Sequence, residues 1–218
     1  MTKIKTAILQ YYQKLKGHEG YFSQDEYFKI KYDDDCMIDD EIKRKYCHGT
    51  KPVEKIKHTD FSEFQRHFGY ELPEEIREYF DCLYHGQICG FHPNYPWECL
   101  VLADALKRRG ETDEDVLTHI DVLSGEDSFL EMCEEWRSWG GDHVNFVPIG
   151  RLLYWGAFVV YEVSTGNIYI EDLDSNEACV LRKEPTAESL AQLIEDLEPI
   201  YDKFKNKYKD VIDETSQK

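Results

Sequence analysis

Asp172, Asp174 and Asn176 alternate along the chain as the first ligands of a calcium loop do. A working loop of that kind turns on a glycine at its sixth position and closes on the ion with a bidentate glutamate at its twelfth. Those positions hold Glu177 and Lys183, so neither device is present and solvated acids at a strand end are expected instead. Asp172 and Asp174 alone could serve a catalytic metal, but no phosphate-cradling loop accompanies them. Cys82, His85, Cys89 and His92 form a second set with the ligand types that zinc prefers. Structural zinc sites more often use two tight pairs separated by a longer loop, and Cys82 sits beside an apolar helical stripe where a thiol needs no metal. A thiol nucleophile would need a neighbouring base, and nothing in the spacing pairs one of seven cysteines with one of eight histidines. The chain also lacks G-x-S-x-G, a P-loop, H-E-x-x-H and a dinucleotide fingerprint. The expectation is a protein that is not an enzyme, with no catalytic residue, metal or cofactor.

The segment from Glu111 to Trp136 carries more weight. It contains ten acidic residues and no lysine or arginine. Like charges gathered in one place oppose folding, a cost that solubility alone does not require. The pattern predicts a contact surface for a basic protein. Asp113, Glu114, Asp115, Asp121, Glu126, Asp127, Glu131, Glu134 and Glu135 would supply charge, with Trp136 and Trp139 as aromatic anchors. The plainer alternative is a solvated loop and helix face.

The wider charge distribution agrees. Residues 1–60 carry 12 Lys+Arg against 11 Asp+Glu, whereas 61–218 carry 14 against 33, and the net charge is -18. Such a surface repels nucleic-acid phosphates and anionic membranes. No apolar run approaches a bilayer span, and MTKIKTAILQYYQKLK lacks the apolar centre of a signal peptide. Seven scattered cysteines without a C-x-x-C pair suit reduced thiols in a cytoplasmic chain rather than a disulfide scaffold.

The elements that must position these residues can be read in part. Apolar spacing predicts a helix over 3–16, a strand over 27–32 and a helix through Phe61, Phe64 and Phe68. A further helix follows Pro73, with Ile76, Tyr79, Phe80 and Leu83 inward and Gly86 as its stop. Residues 97–106 read as a strand turning into a helix that ends at Gly110, and 128–139 as a helix with Phe129, Met132, Cys133 and Trp136 on one side. NFVPIG, GAFVVYEV and NIYIEDL read as strands, the second central in its sheet, with Gly166 at a hairpin turn. A last amphipathic helix is predicted from an N-cap at Thr186, kinked or broken at Pro199. Residues 1–60 form an N-terminal helix–strand extension, 61–208 the main domain and 209–218 a flexible tail.

In order and spacing, LPEEIREYFDCLYHG, WECLVL, FVPIG…GAFVVYEVSTGNIYIEDL and SLAQLIEDL resemble the SUKH superfamily. That group includes the yeast cell-wall assembly regulators, the SecY-interacting protein Syd and many bacterial immunity proteins. The resemblance covers roughly 61–200; HGQICG departs from the glycine-paired, asparagine-rich loop usual after the first core helix. It implies a single α+β domain with a mixed or antiparallel twisted sheet packed against helices, and a non-enzymatic, protein-binding role. The function it implies is immunity: binding a cognate, basic toxin, such as a nuclease, and masking its active site with an acidic surface. The alternative is an intracellular interaction or regulatory module of the Syd or cell-wall-regulator type.

Overall fold

The computed structural model describes residues 1–14, 52–55, 58–86, 88–103, 105, 129–152 and 156–199. The strand predicted over 27–32, the helix ending at Gly110 and the tail 209–218 lie outside them.

Ile4, Ala7, Ile8 and Tyr11 repeat with the three-and-four spacing of a single helical face, and α1 (Lys3–Lys14) buries all four. After the two-residue strand β1 (Val53–Glu54) comes α2 (Ser62–Phe68), which stops at Gly69. Helix α3 (Glu74–Asp81) begins after Pro73 and turns Ile76, Tyr79 and Phe80 inward. It ends earlier than the glycine at 86 suggests. Leu83 and Tyr84 leave the helical path to form β2 (Leu83–Tyr84), antiparallel to β1, with Leu83 still in the core.

The main sheet follows. Strands β3 (Ile88–His92) and β4 (Tyr95–Leu102) form one antiparallel pair. Helix α4 (Phe129–Ser138) precedes β5 (Phe146–Leu152), β6 (Phe158–Glu162) and β7 (Ile168–Ile170). Helix α5 (Leu190–Asp196) then leads to β8 (Glu198–Pro199), which pairs with β3. The order across the six-stranded sheet is β7-β6-β5-β4-β3-β8, with every neighbour antiparallel. This is an α+β domain with an open sheet, and of the two expected arrangements the antiparallel one is found. Strand β6 lies between β5 and β7, which accounts for its apolar residues on both faces. Gly166 takes φ 84 in the β6–β7 turn, a left-handed conformation that side chains with a Cβ rarely adopt.

The helices pack into one core with the sheet. Residues Ile8 of α1, Ile76 and Phe80 of α3, Phe129 of α4 and Leu193 of α5 join Leu100, Val159 and Ile168 in a single apolar cluster. Thus α1, on the N-terminal side of the boundary expected at residue 60, shares the core of the elements that follow it. Its Lys14 ammonium donates to the carbonyls of Glu195 (2.7 Å) and Leu197 (3.0 Å), neutralising the negative end of α5. The opposite end of α5 is held by Glu75 of α3, whose carboxylate accepts from the N–H groups of Leu190 (3.4 Å) and Ala191 (3.3 Å).

The predicted N-cap of α5 moves. Thr186 is buried, and its N–H donates to Ile168 O at 2.7 Å, continuing the edge of the sheet. Ser189 caps instead, accepting from Gln192 N–H at 3.1 Å. At the other end Leu197 is already extended, so the helix stops before Pro199 and Pro199 becomes part of β8. Residues 180–187 run along the outer side of β7, with bonds from Arg182 N–H to Ile170 O (3.0 Å) and from Ile168 N–H to Ala187 O (2.9 Å). They cover an edge that would otherwise be open to strand addition.

Candidate functional site

Helix α4 presents one apolar stripe and one acidic face, as its sequence dictates. Phe129, Met132, Cys133 and Trp136 are buried, while Glu131 is exposed and Glu134 and Glu135 are partly so. Its C-terminal turn closes through Trp139 N–H to Glu135 O (3.0 Å), Gly140 N–H to Arg137 O (3.2 Å) and Gly141 N–H to Trp136 O (2.9 Å). That turn sends the two tryptophans in opposite directions. Trp136 is 1% exposed, whereas Trp139 is 51% exposed.

Trp136 is therefore not a partner anchor. It belongs to the interior stripe with Phe129 and Met132, and its indole packs edge-to-face on Phe158 with ring centroids 5.2 Å apart. A Cβ on Gly141 would lie 2.3 Å from the same indole, so only glycine lets the chain leave the helix against that ring. Membership of one helical stripe was the signal that separated Trp136 from Trp139.

Trp139 is the exposed one of the two. It rests edge-to-face on Phe158, centroids 5.6 Å apart, so its exposed ring has a rigid seat. Phe158 is fully buried and also lies under the Arg151 guanidinium, 4.4 Å from the ring centre. Arg151 and Phe158 are register partners on β5 and β6, which places them on one face of the sheet. Arg151 donates to Gly156 O at 3.1 Å and is ion-paired with Glu135, tying α4 to the sheet beneath Trp139.

The carboxylates predicted to meet a partner fall into three groups. Asp113, Glu114, Asp115, Asp121, Glu126 and Asp127 lie outside the described residues. Glu134 meets the His67 ring and lies 3.8 Å from Arg137, and Glu135 holds Arg151. Glu131 is exposed on the outer face of α4. Just beyond Trp139, Asp142 accepts from the side chain of Asn145 (2.7 Å) and from the N–H groups of Val144 and Asn145. These bonds, that to the Asn145 side chain foremost, hold its carboxyl below the usual range and keep it charged.

The metal-ligand sets sort differently. Both ring nitrogens of His85, which is fully buried, face main-chain carbonyls: Gly86 O at 2.9 Å and Tyr79 O at 3.2 Å. Burial pushes the thiols of Cys82 and Cys89 up to about 12, and those of Cys99, Cys133 and Cys179 upward as well. Desolvation thus works against the thiolate at every described cysteine. The Asp172 carboxylate accepts from Asp174 N–H at 3.2 Å, bracing its own turn. Among the described residues no three His, Cys, Asp or Glu side chains are grouped to hold a metal ion.

The residues that sequence reasoning missed are those under the surface. In the sequence Arg151 and Phe158 read as ordinary strand positions and Glu171 as part of a strand. Yet the Glu171 carboxylate, 8% exposed, accepts from Phe158 N–H (3.1 Å) and Cys179 N–H (2.8 Å) and so organises the loop after β7. Only the burial of these groups identifies them, and burial depends on the fold. No described helix is long and apolar enough to cross a membrane. In comparisons with known proteins, no family model and no curated protein matches the chain.

Proposed function

We propose that the protein acts by binding a basic protein partner through the acidic face that ends at Trp139. The observation that carries this reading is the seat of Trp139. A large ring is left half exposed yet held on Phe158, at the end of a helix whose exposed Glu131 continues an acidic stretch of the sequence. Rigid aromatic side chains make strong interface anchors because little rotamer freedom is lost on binding, and surrounding carboxylates speed the encounter with a basic surface.

The more specific reading follows the resemblance to the SUKH superfamily, whose fold class agrees with the open antiparallel sheet. On it the chain is an immunity protein, and the partner is a toxin such as a nuclease whose phosphate-binding groove these carboxylates occupy. Co-expression with the product of the adjoining gene tests this. The two proteins should co-purify, with affinity falling as salt rises because screening slows association. Charge reversal at Asp113, Glu114 and Asp115 should weaken the complex and leave the circular dichroism spectrum unchanged. Full toxin inhibition by that triple variant would sink the contact assignment.

A further inference from the structure

The chain leaves β7 into the loop Asp172–Glu177 beside Phe158, the first residue of β6 and the one on which Trp139 packs, although more than thirty residues separate loop and tryptophan in sequence. Both are mounted on Phe158. Trp139 packs on its ring, while Glu171 bonds its backbone twice, through N–H to Phe158 O (2.9 Å) and through the carboxylate to Phe158 N–H (3.1 Å). The far end of the loop is fixed on α4, where the Cys179 thiol lies 3.8 Å from Trp136 O. The loop is a closed excursion whose two ends are anchored beside the tryptophan. At its tip Leu173 is 42% exposed, an apolar side chain presented to solvent beside exposed Asp174 and Glu177.

We propose that this loop is the second half of the docking surface centred on Trp139, and that together they take a segment of a protein partner with a basic side chain next to an apolar one. The assignment rests on the protein-binding reading above. Two exposed apolar groups, Trp139 and Leu173, receive the apolar side chain, and the carboxylates of Asp174 and Glu177 receive the cation. Charge complementarity selects that partner. From Asp172 to Leu181 the chain has three exposed or half-exposed acids and no lysine or arginine, so a basic segment gains an attraction there that an acidic or neutral one lacks.

A short peptide of alternating lysine and leucine is a suitable probe, titrated at low salt into isotope-labelled protein. The expected result is shifts at the Trp139 indole N–H and at the amides of Leu173, Asp174 and Glu177, lost as salt is added. Leu173→Ala and the double change Asp174→Asn with Glu177→Gln should each weaken binding about tenfold, a typical effect for a central interface contact. These side chains are exposed, so the variants should fold. Shifts at Trp139 with none at 172–177, and unaltered affinity in both variants, would overturn this assignment and leave the protein-binding reading standing. Absence of any shift at Trp139 would remove both.

Discussion

The Arg151 guanidinium lies over the ring of Phe158, 4.4 Å from its centre, at a position in the sheet where an aliphatic side chain would ordinarily pack. Glu135 of α4 neutralises it, so one buried charge joins the helix carrying Trp139 to the strand on which Trp139 rests.

A pair of this kind is costly to break from one side, because the remaining charge keeps its desolvation penalty. Glu135→Gln should lower unfolding free energy by about 1–3 kcal/mol, below the fully buried range because the Glu135 side chain is 30% exposed. The double variant Glu135→Leu with Arg151→Met removes both charges and should recover more than half of that loss. Urea denaturation of the two variants makes the comparison. Equal destabilisation would mean that the pair matters for its packing rather than its charge.

At the opposite side of the sheet, the Tyr11 hydroxyl donates to Cys89 O at 2.8 Å and accepts from Cys89 N–H at 3.1 Å. Among the described residues β8 pairs with β3 at Gly90 and Phe91, and beside that ladder a side chain from α1 takes both backbone groups of Cys89. Tyr11→Phe keeps the ring and leaves two buried backbone groups unsatisfied, a loss of about 1–3 kcal/mol. Hydrogen exchange at the Cys89 amide should accelerate by a larger factor than at Leu100 in the neighbouring strand. Unchanged protection at Cys89 would count against this role for Tyr11.

The parts of the fold that were legible are those set by local pattern. The three-and-four spacing of Ile4, Ile8 and Tyr11 predicts α1, and the β-branched runs predict β5, β6 and β7 at nearly their observed places. What the pattern could not supply was choice between equivalent local signals. Thr186 and Ser189 are both good N-caps, and the pairing of residue 186 with β7 decides for Ser189. Leu83 fits the stripe of α3, but β1, about thirty residues earlier, draws it into a strand. At the candidate surface, composition singles out Trp139, whereas Arg151 and Glu171 owe their structural roles to burial among groups distant in sequence.

Gly141 offers a sharper test of how Trp136 is held. Its missing side chain is replaced by the indole, which a Cβ would meet at 2.3 Å. Gly141→Ala must move either the ring or the turn, and overpacking of this kind costs about 1–3 kcal/mol or more. Because Trp136 and Trp139 share the Phe158 seat, near-ultraviolet circular dichroism should change together with the melting temperature. A variant with native stability and an unaltered aromatic spectrum would show that the turn has more room than its geometry implies.

The pH dependence of stability should be governed in one window by His85. A neutral imidazole has one N–H and can donate to only one of the two carbonyls it faces, Gly86 O or Tyr79 O. Protonation would satisfy both. Burial opposes it more strongly and holds the group at about 4, against 6.5 for a free histidine. The folded state therefore stays unprotonated between pH 4 and 6.5 while the unfolded chain takes up a proton. Stability is fully present above 6.5 and falls as pH drops through that window, by about 3 kcal/mol in all. His92, also lowered by burial, adds a contribution of the same sign. Asp60 and Asp142, lowered by hydrogen bonds, act at lower pH, since their stability is lost only below the ordinary carboxylate value of 3.8. Urea unfolding measured from pH 7 to pH 4 should show this slope, and His85→Gln should flatten most of it. A variant with the wild-type slope would transfer the effect to other groups and leave His85 a purely structural residue.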